Sequence, residues 1–418
     1  MNRLLLHLLV VGSMSLTFVS LQLRIERAIV ALDVFGIAFA LYGAIQIGRG
    51  RWKLDPIAGS YLVFVGTLAL AAFLNNTILR GEFLNVARTH LLGVTYYLYA
   101  RYSLTTARDY DRMLIAIVIC SAIYLPLSLL ELDRIWGEGF KHYETMFGPL
   151  MNLNGWGFTW LLIFTACSLG WSTSSSKKIR ISCAVMSAVC VVLVPLSFSR
   201  SAFIGLAAFA VIFAFIGFPR YRTVAAPLGI FSILIFNAII SYMGKGFDDS
   251  VIDFWAAKQN TIAEEIITVR LKELTLDPMI EAAQKGWGSV ITGGGISKDH
   301  SIISHAFVSA GLLGLVAILV YHFMIFSYAA MLYRRASPSL QPLARRAFAV
   351  LVAITIVVLA DDVAVNLRSY LPPVCLIYNL TLGIAVSCLS ACRSSNVTLG
   401  GHPHASAHVR RSSSHLHR

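Results

Sequence analysis

Long apolar runs alternate with short polar breaks along the whole chain. Most runs hold about 18 to 22 residues of Leu, Ile, Val, Ala and Phe, and a helix needs roughly 20 such residues to cross roughly 30 Å of hydrocarbon. A β-barrel would instead show short alternating strands. The pattern therefore predicts an all-α polytopic membrane protein with about 12 transmembrane helices. The predicted spans are 4–23, 28–47, 57–76, 84–100, 113–130, 149–170, 181–198, 201–217, 223–243, 303–333, 347–361 and 371–389.

Composition and charge agree with this pattern. The chain is 57% hydrophobic and only 13% charged, which is too apolar for a soluble domain. Its net charge of +13 reflects basic clusters in alternate polar breaks, as in the cytoplasmic loops of membrane proteins. Topology accounts for the basic balance, so no nucleic-acid partner is expected. With the N-terminus inside, the cytoplasmic clusters are Arg49/Arg51/Lys53, Arg101/Arg108/Arg112, Lys177/Lys178/Arg180, Arg220/Arg222 and Arg334/Arg335/Arg345/Arg346.

The longest polar segment, 244–300, falls between the ninth and tenth predicted spans, on the periplasmic side. Within it, residues 251–276 have apolar positions at helical spacing, which predicts an amphipathic helix on the membrane surface. A plain connector is the alternative. Residues 1–390 are expected to form one transmembrane domain, and residues 391–418, rich in Ser, His and Arg, a disordered cytoplasmic tail.

The seven cysteines fall in or beside apolar spans and include no C-x-x-C pair. Disulfide frameworks and thiolate metal sites need cysteines in polar loops or at defined spacings. We therefore expect these cysteines to be small residues that face the core or the lipid.

Three residues at the predicted outer surface are candidates for chemistry. Arg200 lies between the seventh and eighth spans, and Arg270 lies on the predicted amphipathic helix. An arginine at such a boundary needs water or an anion, although it can also snorkel to lipid headgroups or face solvent. His300 stands where the chain re-enters the membrane, and it is either a general base or a structural interfacial residue.

Glycines are frequent in the same polar segment, in Gly286-Trp-Gly288 and in the run 293–295. Glycine permits tight turns and the close approach of backbone to a ligand. The G-x-x-x-x-G-K-[ST] pattern of a phosphate-binding loop is absent, so the glycines alone identify no phosphate site.

The order of these features resembles the O-antigen ligase and polysaccharide polymerase superfamily of bacteria. The family has an S-R-x-A element after a span, a long outer loop, and a closing His eleven residues before a Gly-Leu-Leu-Gly-Leu run. His300 precedes Gly311 by eleven residues and His305 precedes it by six, so the spacing selects His300. In Phe147-Gly-Pro-Leu-Met-Asn-Leu-Asn-Gly-Trp-Gly157, Asn154 matches the family's Asn at the entry to a middle span.

Two positions depart from the family pattern. Ser301 follows the histidine where the family usually has Asn, and Leu274 stands where an aromatic residue often follows the loop arginine. Lys272 is the alternative to Arg270 if the register of the loop differs.

The resemblance implies a GT-C-like fold in the bacterial inner membrane and a site that faces the periplasm. The donor would be a glycan on undecaprenyl pyrophosphate, and the acceptor a hydroxyl of lipid A core or of another repeat unit. Arg200 and Arg270 would bind the pyrophosphate, Asn154 would contact substrate, and His300 would be the general base. Membrane lipids are the other expected partners.

Neither a cofactor nor a metal ion is implied, because the arginines take the role of a divalent cation. Asp361-Asp362 could suggest a metal pair, but adjacent aspartates at the end of a span usually mark the water boundary.

Two other classes of function remain open. A flippase or other multi-span transporter would also have about 12 helices, and a noncatalytic assembly partner would share the topology. Within the family, the sequence does not separate ligase from polymerase, since both use the same donor and chemistry.

Overall fold

A computed structural model describes residues 3–22, 28–78, 81–137, 153–196, 200–221, 272, 275–294, 302–360 and 372–393, and these residues contain helices but no strand. The helices are α1 Arg3–Gln22, α2 Ala28–Gly48, α3 Pro56–Leu74, α4 Gly81–Ser103, α5 Ala107–Gly137, α6 Leu153–Thr173, α7 Lys177–Leu196, α8 Arg200–Gly217, α9 Asp277–Gln284, α10 Trp287–Thr292, α11 Ile302–Arg334, α12 Gln341–Ala360 and α13 Pro372–Ala391.

Eleven of the twelve predicted spans coincide with helices, and the ninth, 223–243, lies outside the described residues. Among the described segments, five are long and apolar enough to cross a membrane. They are Pro56–Leu74, Lys177–Leu196, Ile303–Arg334, Pro338–Leu359 and Val374–Ala391. The chain is therefore an all-α membrane protein, as the apolar runs predict, and the full count of twelve spans stays a prediction.

The two faces of α11 indicate that lipid surrounds this bundle. One face is apolar and exposed at helical spacing, and the other buries polar side chains such as Ser304, Ser309 and His322. In water, so long an apolar stripe would be an exposed hydrophobic patch, which soluble monomers rarely carry. The exposed residues are Leu312, Leu313, Val316, Leu319, Val320 and Phe323.

Helix α5 extends beyond the predicted span 113–130 at both ends. Its start is fixed by a cap, in which the Asp109 amide donates to Thr106 Oγ1 (3.2 Å) and the Thr106 hydroxyl donates to Asp109 Oδ2 (2.8 Å). Thr-x-x-Asp resembles a capping box, a signal that hydropathy does not contain. Hydropathy therefore locates the membrane part of a helix, while caps decide where the helix begins.

Small residues allow α4 and α13 to approach closely. A Cβ on Gly383 would lie 2.5 Å from the Tyr97 carbonyl oxygen, and a Cβ on Gly93 would lie 2.7 Å from Asn379 Nδ2. Membrane helices associate through such contacts because lipid offers no hydrophobic force to drive them together.

The cysteines face the protein interior. Six of the seven are buried and Cys120 is half-buried, and all seven thiols are free. Of the two predicted surroundings, core or lipid, the structure places the six buried cysteines in the core.

Candidate functional site

The turns that carry the basic clusters meet at one end of the bundle, which we call the basic end. Helices of about 20 residues are ~30 Å long, so their other ends form an opposite end, the far end. Hydrogen bonds join the basic turns across the bundle, from Tyr102 Oη to Lys53 O (2.8 Å), from Ser387 Oγ to Leu104 O (3.2 Å) and from Arg346 Nη1 to Ser172 O (2.6 Å).

Asp55 joins α3 to α4 at the basic end. Its Oδ1 accepts a hydrogen bond from the Ala58 amide (3.0 Å) and caps α3. Its Oδ2 accepts from the Tyr97 hydroxyl (2.6 Å) and lies 3.7 Å from Arg101 Nε. Because a buried carboxylate is costly without such partners, this constellation has a structural explanation.

We expect Asp55→Ala to lower the thermal stability of the protein in detergent by about 1–3 kcal/mol, because it removes a helix cap and leaves the buried Tyr97 hydroxyl without its acceptor. Asp55→Asn separates the two causes, since Asn caps helices as well as Asp does, while its Nδ2 cannot accept the hydrogen bond from Tyr97. Thermal unfolding of the two variants checks this, and equal midpoints for Asp55→Ala and wild type would contradict it.

The carboxylates at the start of α5 are also paired. Asp109 pairs with Arg3, and the Ser174 hydroxyl donates to Asp111 Oδ1 (2.7 Å). Burial raises the pKa of the Asp111 carboxyl, and the hydrogen bond from Ser174 opposes that rise. These acids hold helix ends together, so the chemistry that the sequence predicts is to be sought at the far end.

At the far end, two of the predicted site residues stand at the starts of helices. Asn154 is the second residue of α6 and Arg200 is the first residue of α8. Arg270 and His300 lie outside the described residues, and α11 begins two residues after His300. Lys272, the alternative to Arg270, is exposed.

Close packing fixes the direction of α8 just after Arg200. A Cβ on Gly205 would lie 2.9 Å from Leu161 Cδ2 of α6 and 3.0 Å from Val357 Cγ1 of α12. Glycine therefore allows α8 to lie directly against both helices, and the starts of α6 and α8 belong to one packed group.

The most constrained backbone at the far end is a contact between α10 and a kink in α11. Gly311 breaks α11 with φ +63° and ψ −155°, and a Cβ there would lie 2.4 Å from the Ile291 carbonyl oxygen. Gly293, with φ +73°, would place a Cβ 2.4 Å from the Ser309 carbonyl oxygen. Each glycine thus lies against the backbone of the two residues that precede the other glycine, and we call this contact the glycine clamp.

Hydrogen bonds close the clamp. In an unbroken helix, the Val308 carbonyl would accept from the amide four residues later, whereas here the Gly294 amide donates to it (2.8 Å). Asn75, which follows α3, donates from Nδ2 to the Gly293 carbonyl (3.2 Å). The sequence predicts that the glycine run lets the backbone lie close to another group. Gly293 does so, and the group that it contacts is the backbone of α11.

His305 lies inside the first turns of α11 and is only 2% exposed. Its Nε2 is 3.1 Å from Ser309 Oγ. Burial on a packed helix face leaves this imidazole little access to a sugar hydroxyl, so His305 is a poor candidate for the base.

A buried polar network crosses the membrane-embedded part of the bundle, and the sequence interpretation missed it. The Tyr61 hydroxyl lies 2.5 Å from His90 Nδ1, linking α3 to α4. The Tyr61 hydroxyl also lies 3.8 Å from Cys375 Sγ of α13, and Asn379 Nδ2 donates to the same sulfur (3.5 Å). The available signal was the presence of His90 and Asn379 within apolar spans, where polar side chains are costly unless paired.

No protein-family model and no curated protein matches this chain. Asp361 and Asp362 lie outside the described residues. Within the ranges described, no three His, Cys, Asp or Glu side chains lie together as possible metal ligands.

Proposed function

We propose that the protein transfers a glycan from undecaprenyl pyrophosphate to a sugar hydroxyl at the outer face of the bacterial inner membrane, as an O-antigen ligase or polysaccharide polymerase. The observation that carries this proposal is the order of the Asn154, Arg200 and His300 motifs, combined with the position of their helices. Helices α6 and α8 both begin at the far end, and α11 begins there two residues after His300.

The orientation of the site follows from charge. The basic turns share one end of the bundle, and Lys and Arg favour the cytoplasmic side. The far end then faces the periplasm, where a flipped lipid-linked glycan is presented.

Each residue has a defined part in the proposed reaction. The acceptor hydroxyl attacks the anomeric carbon, and the bond from that carbon to the pyrophosphate oxygen breaks. His300 takes the hydroxyl proton, while Arg200 and Arg270 stabilise the negative charge that develops on the departing pyrophosphate. Asn154 contacts the substrate beside Arg200. Free undecaprenyl pyrophosphate and the extended glycan are the products.

The test is a transfer assay with the purified wild-type protein. The protein is mixed with undecaprenyl-pyrophosphate glycan and either lipid A core or a second lipid-linked unit, and free undecaprenyl pyrophosphate and product length are followed. We expect release that depends on the acceptor. Release with lipid A core identifies a ligase, and growth of the lipid-linked chain identifies a polymerase.

The same protein in liposomes distinguishes the transporter alternative. If no pyrophosphate is released with either acceptor while the lipid-linked glycan crosses the bilayer, the protein is a flippase and the transferase proposal is wrong. Empty liposomes and acceptor-free mixtures are the controls.

A further inference from the structure

The glycine clamp lies at the boundary between hydrocarbon and headgroups. The part of α11 from Gly311 to Arg334 has 24 residues, and at 1.5 Å per residue it is ~36 Å long, which alone exceeds the roughly 30 Å of hydrocarbon. Helix α3 gives the same level independently, because its 19 residues are about the number needed to cross the hydrocarbon. The helix ends at Leu74, and the next residue, Asn75, donates a hydrogen bond to Gly293. Two helices therefore place Gly293 and Gly311 at the far-end surface of the membrane.

Helices α9 and α10, which precede the clamp, expose large apolar side chains at this level. Trp287 is 81% exposed and Ile291 is 50% exposed, and their spacing of four residues puts them on one face of α10. Ile280 and Leu276 are 52% and 44% exposed and have the same spacing. This polar segment thus presents an apolar surface that the bundle does not cover.

This apolar surface is continuous with the lipid-facing side of the bundle. Ile291 and Thr292 contact the kink at Gly311, and the next residues of α11, Leu312 and Leu313, begin its exposed apolar stripe. The neighbour of that stripe is the acyl-chain region of the bilayer. Because α10 contacts α11 where this exposed stripe begins, the acyl chains of the same bilayer are the nearest apolar surroundings for Trp287.

We propose that α9 and α10 form an interfacial anchor that inserts Trp287, Ile291 and Ile280 into the leaflet at the far end. Tryptophan is enriched at this depth because its ring is apolar and its indole N–H can reach water or headgroups. Helices that lie in the interface bury their apolar face just below the headgroups. The glycine clamp then fixes the level of α10 relative to the first turns of α11. This inference requires only that the bundle spans a membrane, and it holds whether or not the protein transfers glycans.

Tryptophan fluorescence in reconstituted bilayers tests the anchor. The full-length protein is reconstituted with lipids brominated on the acyl chains, and quenching is compared with quenching by aqueous acrylamide. The emission lost on Trp287→Phe isolates the signal of Trp287 among the seven tryptophans. Trp52→Phe is the control, because Trp52 is 5% exposed and packs between Tyr42 and Tyr99.

We expect the component removed by Trp287→Phe to be quenched by bromolipid and protected from acrylamide. Adding Ile291→Trp in the Trp287→Phe background is expected to restore a bromolipid-quenched component, because position 291 is on the same face. Quenching of Trp287 by acrylamide alone would place it in water, and quenching by neither agent would mean that protein covers it. Either of these outcomes overturns the proposal.

Discussion

His300→Ala is expected to lower the turnover of glycan transfer by about 10²–10⁴-fold, the usual contribution of a general base. The variant should still bind the lipid-linked donor, because the pyrophosphate contacts are assigned to Arg200 and Arg270. The loss should therefore appear in kcat and leave the donor KM nearly unchanged. The measurement is the rate of undecaprenyl pyrophosphate release at saturating donor and acceptor.

His404→Ala is the matched control for that experiment, since His404 belongs to the C-terminal tail that the sequence places on the other side of the membrane. It removes a histidine without affecting the proposed base, and we expect wild-type rates. Wild-type turnover in His300→Ala, with transfer itself established, would exclude His300 as the base while leaving the transferase proposal intact.

Gly311→Ala is expected to open the glycine clamp. Its φ of +63° and ψ of −155° lie in a region that only glycine occupies easily, at a cost of about 1–3 kcal/mol for other residues. The added Cβ would also lie 2.4 Å from the Ile291 carbonyl oxygen, and backbone cannot move aside as a flexible side chain does. We expect faster proteolysis of the segment around α10 and a lower unfolding midpoint.

Gly66→Ala on α3 is the control for the clamp, because nothing lies within 4 Å of a Cβ there and alanine favours helix. Gly293→Ala should resemble Gly311→Ala, and the double variant should lose less stability than the sum of the two, since both break one contact. Additive losses would show that the two glycines act separately.

The sequence predicted where the helices that carry two of the candidate site residues begin. The motif around Arg200 predicts a boundary between two spans, and α8 begins at that residue. Asn154 is the second residue of α6. Both positions depend on local signals, a polar residue next to an apolar run. The glycine clamp was not predicted, because Gly293 and Gly311 meet through backbone geometry that no local pattern specifies.

For the fold, the apolar runs determined which segments are helices, because the length needed to cross hydrocarbon and the burial of backbone polar groups are properties of each segment alone. Which face of a helix meets lipid, and which meets protein, depended on neighbours that are distant in the chain. Gly66 and Gly311 are the same residue in two apolar helices, yet one has open space beside it and the other touches the backbone of α10. Only the tertiary structure distinguishes them, because the difference lies in what packs against each glycine.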